Sequence, residues 1–190
     1  MRVLIAEDDP VIALGLEVKL TALGHEVVGR VGDGQTAVAV AERDQPDAIV
    51  MDLVMPGMDG LEAARQITDS RGVAIVAITA HDDPGLVARA IDAGVAAYLV
   101  KPVDAGQVDS ALRLAVARYT EFQALRAEVD RLADALEARK LVERAKGILM
   151  DRAGLGESEA FTRIQRRARS RNQTMAQVSR EIIDAAKLLE

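Results

Sequence analysis

The sequence predicts an α/β domain on a doubly wound, five-stranded parallel sheet, followed by a coiled-coil helix and a small three-helix all-α domain. Three observations carry this reading. Short apolar or β-branched runs alternate with amphipathic helical stretches over residues 1–118. Strands that are apolar on both faces need helices above and below a parallel sheet. From about residue 104 onward the pattern is helical only. Charge divides near the same place: residues 1–105 hold 17 acids and 8 bases, and residues 106–190 hold 13 acids and 16 bases. Two halves of opposite sign point to two different partners.

The expected strands are Arg2–Ala6, Glu26–Val31, Asp47–Met51, Val73–Ile78 and Ala96–Val100. Helical periodicity between them falls near 11–23, 34–44, 58–70, 84–93 and 104–118. Gly24, Gly72 and Gly94 stand where helices must stop, the position where a left-handed residue closes the last turn. Five such units make a small doubly wound domain.

Beyond it, Phe122, Leu125, Val129, Leu132 and Leu136 are spaced 3, 4, 3 and 4, with Arg126, Glu128, Asp130 and Arg131 beside them. That is a coiled-coil seam. It either folds back on its own domain or meets a second copy of the chain. Its place between two domains, with few other apolar surfaces to meet, favours a homodimer. A helix near 141–153 should end at Gly154 and Gly156, and a second should run over about 157–170. Thr174 and Gln177 have capping-box spacing and open a third, with Met175, Val178, Ile182, Ala186 and Leu189 on one face. The expected domains are 1–118, a linker helix over 119–138, and 139–190, whose first helix continues the linker.

Composition excludes several function classes. With 49% apolar residues a core can be buried. The four aromatics are Tyr98, Tyr119, Phe122 and Phe161, with no Trp, too few for a sheet that stacks bases. No Cys is present, so there is no thiolate zinc site, and His25 and His81 alone cannot build a multi-histidine site. The start MRVLIAEDDP meets acids too soon for a signal peptide, and no apolar run is long enough to span a membrane. A soluble cytoplasmic protein without membrane contact is expected.

Open parallel sheets bind ligands at the carboxyl ends of their strands. There the sequence puts Glu7, Asp8 and Asp9, then Asp52, then Thr79, then Lys101 with Pro102. Any one of these could simply cap a strand. Their joint placement on four strands of one edge points to a site. Carboxylates forced together repel unless a cation joins them, and hard oxygen donors around a partly open site favour Mg²⁺. Thr79 and Lys101 suit the remaining oxygens of a phosphoryl group, and Asp52 can form an acyl phosphate.

The segments IAEDDP, MDLVMPGMDG, ITA and YLVKP, in this order and spacing, resemble the receiver domain of two-component response regulators over residues 1–118. The resemblance implies a CheY/flavodoxin-like fold and a sensor histidine kinase as partner. By resemblance Asp52 accepts the phosphoryl group, and Thr79 and Lys101 assist. Mg²⁺ is then held by Glu7, Asp8, Asp52 and the backbone carbonyl of Val54. Pro10 sets the register that makes Glu7 and Asp8 the acidic pair. Glu7 departs from the usual pair of aspartates and reaches the ion through water. Thr79 and Tyr98 match the switch pair, and the Lys101–Pro102 bond matches one that is usually cis. A dehalogenase-type phosphatase would need a second Asp two residues after the nucleophile, where Val54 stands. No enzymatic turnover is expected.

Residues 139–180 hold 11 bases and 4 acids, with none of the acids between 160 and 180. Arg-rich, acid-poor surfaces attract phosphates. Arg139, Lys140, Ala145, Lys146, Gly147, Leu149, Met150, Ala160, Phe161, Ala168 and Val178 carry a resemblance to the ANTAR domain over about 125–190. The resemblance implies binding of RNA hairpins in nascent leader transcripts and transcription antitermination. Lys146, Arg166 and Arg167 are the leading RNA-contact candidates, followed by Arg163, Arg171, Asn172 and Gln173. Ala145, Gly147, Leu149, Met150 and Phe161 are expected in the three-helix core. A DNA-binding or a protein-interaction output are the alternatives.

Overall fold

The computed structural model of the chain describes residues 1–70, 72–80 and 83–187. His81 and Leu189, named above, lie outside the described residues. The chain runs β1 (Arg2–Ala6), α1 (Pro10–Ala22), β2 (Glu26–Val31), α2 (Gly34–Asp44), β3 (Ala48–Met51), α3 (Gly60–Ser70), β4 (Ala74–Thr79), α4 (Pro84–Asp92), β5 (Ala97–Val100), α5 (Ala105–Ala153), α6 (Glu157–Arg171) and α7 (Met175–Lys187). It divides into two units, Met1–Gln123 and Ala124–Glu190. No described helix is long and apolar enough to cross a membrane.

In the first unit all strand pairs are parallel and the order is β2-β1-β3-β4-β5. The order reverses between β1 and β3, which opens a crevice at their carboxyl ends. Strand alternation sends Leu4, Ile49, Met51 and Ile75 to one face, against α2, α3 and α4 residues such as Ala37, Ile67 and Ala90. Val3, Ile5, Val50, Val76 and Ile78 go to the other, against Leu16 and Leu20 of α1 and Val108 and Leu112 of α5. Each fully buried aliphatic side chain contributes about 1.5–3 kcal/mol.

Local chemistry sets the helix starts. Pro10 opens α1, and the Asp9 carboxylate accepts from the Val11 and Ile12 amides at 2.8 and 3.2 Å. Asp33 and Asp83 cap α2 and α4 in the same way. The periodicity places α3 from 58, but it begins at Gly60, because Asp59 caps it by accepting from the Glu62 amide at 2.8 Å. Gly72, at φ +68°, admits the Tyr119 hydroxyl, which donates to the Gly72 carbonyl at 2.6 Å. Buried His25 meets Asp109 of α5 at 2.7 Å.

The second unit closes over Ala145, Ile164, Ala168, Val178 and Ile183. Thr174 and Gln177 form the expected capping box, with reciprocal bonds of 2.8 and 3.1 Å. Met150 and Phe161, expected in this core, are instead 39% and 41% exposed. The four-residue spacing of Ala160, Ile164 and Ala168 defines the buried stripe of α6, and Phe161 lies about 100° around the helix from Ala160. Ile183 is buried in this core beside Val178, and Ile182, expected on that face, packs half-buried against it.

Candidate functional site

Three strand ends position the acidic site by backbone pairing. The Glu7 amide donates to Val31 at 2.9 Å, the Asp52 amide to Ala6 at 2.8 Å, and the Lys101 amide to Thr79 at 2.8 Å. One carboxylate oxygen each from Glu7, Asp8 and Asp52 lies within 4.8 Å of the others. Glu7 and Asp52 are buried, whereas Asp8 is exposed. Asp9 turns away to cap α1. Gly60 lets α3 start against this edge, since a Cβ there would collide with the Asp52 carbonyl oxygen. The motif displays that glycine, but only the packing gives its reason.

Lys101 sits across the carboxylates. Its Nζ donates to Asp52 Oδ2 at 2.6 Å and to Glu7 Oε2 and Oε1 at 2.8 and 3.1 Å. The other Asp52 oxygen, Oδ1, accepts from the Val54 amide at 3.0 Å. Burial pushes the Glu7 carboxyl up, Lys101 pulls it back, and the Asp52 charge adds to the rise. Burial works to lower the Lys101 ammonium, but its bonds to Asp52 and Glu7 outweigh that and hold it above its ordinary value. The two rises differ in cause: burial for Glu7, the carboxylate partners for Lys101. With Asp8 alongside, three carboxylates stand against one ammonium and the local charge is negative. That deficit and the oxygen-only donor set fit a hard divalent cation.

Thr79 is buried at the end of β4, with Val100 opposite it in the ladder. Tyr98, opposite Ala77, is half-buried and packs against the α2–α3–α4 face. Val54 is 52% exposed, just beyond β3.

The second unit carries the basic candidates. Arg163, Arg166, Arg167 and Arg171 line a groove of about 720 Å³ along α6, with Ser158 and Thr162. Among the described residues Arg163 and Arg166 have no ion pair. Arg167 and Arg171 lie 3.5 and 3.3 Å from Glu181 of α7. Lys146 is set apart from this face. It is buried and donates to Glu157 at 2.7 Å and to Glu143 at 2.9 and 3.2 Å. Those bonds hold its ammonium above the ordinary value. It joins the end of α5 to the start of α6, and it can meet a phosphate only by leaving its carboxylates. Glu143 was legible as a helix-face partner at i,i+3; Glu157 and Glu181 were not, because the turns between helices bring them in.

The response regulator receiver domain matches residues 3–113, and the ANTAR domain matches residues 130–183. The chain is 47% identical over 183 residues to the transcriptional regulatory protein PdtaR of Mycobacterium tuberculosis, covering 96% of this chain and 89% of that one. It is 38% identical over 117 residues to the transcriptional regulatory protein LiaR of Bacillus subtilis, covering 60% of this chain and 56% of LiaR. A solved receiver domain of a modulated diguanylate cyclase from Desulfovibrio desulfuricans is 31% identical at a TM-score of 0.59, covering 63% of this chain and 95% of that one. The receiver domain of a sensor histidine kinase from Pseudomonas aeruginosa, solved with magnesium in its active-site cleft, is 35% identical at a TM-score of 0.56, covering 61% and 97%. A strand-end carboxylate site and a separate basic helical unit therefore have a common explanation: the chain belongs to the two-component response regulators that join a receiver domain to an ANTAR domain.

Proposed function

We propose that phosphorylation of Asp52 controls RNA-hairpin binding by the basic unit, and that this chain acts as a transcription antiterminator on nascent transcripts. The carrying observation is the Lys101 ammonium, 2.6 Å from Asp52 in an edge of excess negative charge. An Asp52 oxygen attacks the phosphorus of a phosphohistidine on a sensor histidine kinase. The O–P bond of the acyl phosphate forms as the P–N bond breaks, the kinase imidazole leaves with the electron pair, and Lys101 shifts from the carboxylates to the new oxygens. Thr79 and Tyr98 follow as the switch pair. Glu7, Asp8, Asp52 and the Val54 carbonyl would hold Mg²⁺. When bound, the ion neutralises charge on the phosphoryl oxygens.

The receiver is taken as residues 1–118, the linker helix as 119–138 and the ANTAR domain as 139–190, its first helix continuous with the linker. Phe122, Leu125, Val129, Leu132 and Leu136 are each more than half exposed. A second copy of the chain covers them in a homodimer. Arg163, Arg166, Arg167 and Arg171 form the RNA face. Lys146, a leading candidate from the sequence, acts first through its two carboxylates. The protein turns over no substrate of its own and works in the cytoplasm.

Labelling by a small phosphodonor with Mg²⁺ should vanish in Asp52→Asn; retained labelling moves the acceptor elsewhere. Arg166→Ala with Arg167→Ala should weaken RNA binding and lower its salt slope by about one to two. Unchanged affinity would count against the α6 face.

A further inference from the structure

Glu181 of α7 is the carboxylate that pairs with the arginines of α6, whereas Glu159, at the start of the same groove, accepts from the Gly156 amide as a helix cap; the surroundings of Glu181 form a binding set. Arg167 and Arg171 are one turn apart on α6, so both side chains reach the same spot. Arg167 Nη2 and Arg171 Nη1 lie 3.5 and 3.3 Å from the same oxygen, Glu181 Oε2. Gln173 Nε2 donates to the other oxygen, Oε1, at 2.6 Å. Asn172 closes α6 in the left-handed region at φ +52°, and the Gln173 amide then donates back to Ala168 at 3.0 Å. This turn sets the Gln173 side chain beside the two guanidinium groups.

Donors from three residues thus converge on two oxygens of one anion. Phosphate presents oxygens of the same kind to guanidinium groups, with more charge behind them. The set is open to solvent: Arg167 and Arg171 are 47% and 51% exposed and Glu181 is 38% exposed. Exposed pairs of this geometry are weak and exchange readily. The same two arginines line the α6 groove together with the unpaired Arg163 and Arg166.

We propose that Arg167, Arg171 and Gln173 form a phosphate subsite of the RNA interface, and that the Glu181 carboxylate occupies this subsite until an RNA phosphate displaces it. The proposal rests on the RNA-binding reading above. Glu181 then acts as an internal competitor. Arg163 and Arg166 make the first contacts, and the subsite engages once its carboxylate swings out.

The test uses the full, phosphorylated chain and an RNA stem-loop of arbitrary loop sequence, because phosphate contact is independent of sequence. Affinity is measured over a salt series for the wild type, Glu181→Gln and Asp184→Asn. Asp184 also stands on α7, paired with Lys187 at 3.4 Å, and its substitution removes the same charge. Glu181→Gln should bind about three- to tenfold tighter at low salt, with a salt slope close to that of the wild type, because both complexes contact the same phosphates. Asp184→Asn should gain less, and Arg167→Gln with Arg171→Gln should cancel the gain of Glu181→Gln. Glu181→Ala, if its helical melt matches the wild type, should repeat the gain. Equal or weaker binding by both Glu181 variants overturns the subsite and leaves Glu181 as a tie between α6 and α7. An equal gain from Asp184→Asn also overturns it, since net charge alone would then explain the effect. Salt-sensitive binding by the wild type keeps the RNA reading in either case; absence of RNA binding in every variant overturns both.

Discussion

Lys101 is the residue on which the receiver site turns. It neutralises part of a three-carboxylate edge, with bonds of 2.6 and 2.8 Å to Asp52 and Glu7. Lys101→Met leaves those carboxylates facing each other without a cation. A buried group stripped of its ionic partner costs about 3–5 kcal/mol, and the partial exposure of this site reduces that to about 1–3 kcal/mol. The variant should melt earlier than the wild type without divalent ions and regain much of the loss on adding Mg²⁺. Equal melting of both proteins, with no response to Mg²⁺, would refute the charge account. These strand-end groups were legible because each follows an apolar run on the same edge of a parallel sheet. Phe161 was misread because its seven-residue distance from Ala168 looks in phase, yet the stripe is set by Ala160, Ile164 and Ala168.

At the scale of elements, the Lys146 tie between α5 and α6 carries a pH dependence. Its bond to Lys146 holds the Glu157 carboxyl below the ordinary value. A lowered folded-state value means that the pair adds stability above the unfolded value, about 4.3, and loses it as pH falls through the folded one. Glu157→Gln should therefore be less stable than the wild type at neutral pH, and the gap in urea midpoint should close as pH falls below the ordinary carboxylate range. A gap that stays constant with pH would rule the ion pair out as its source. Lys146→Glu with Glu157→Lys should restore part of what either single change loses. The seam makes a separate prediction. Leu125→Lys with Leu132→Lys should abolish dimers in sedimentation while leaving the receiver's thermal transition in place. Dimers that survive both charges would place the contact elsewhere. The helical course of the segment from Phe122 to Leu136 and the capping box at Thr174 were legible from spacing alone. The partners of Lys146 and Arg171 depend on how α6 and α7 turn back, which local sequence does not encode.

At the scale of the whole molecule, the acid excess of residues 1–105 includes the cluster of Glu7, Asp8 and Asp52, and four arginines of the basic stretch 139–180 line the α6 groove. The alternation of strands and helices made the two-part architecture readable, since burial on both faces leaves few other topologies. The two functions are joined through α5, which spans Ala105–Ala153 and includes the seam. Phosphate on Asp52 should govern affinity at the arginine face. The most direct measurement is binding of a leader-transcript hairpin by the full chain before and after treatment with a small phosphodonor and Mg²⁺, with Asp52→Asn alongside. Phosphorylation should tighten binding by tenfold or more, about 1.4 kcal/mol, and Asp52→Asn should not respond. Equal affinity of the phosphorylated and unphosphorylated chains would contradict it.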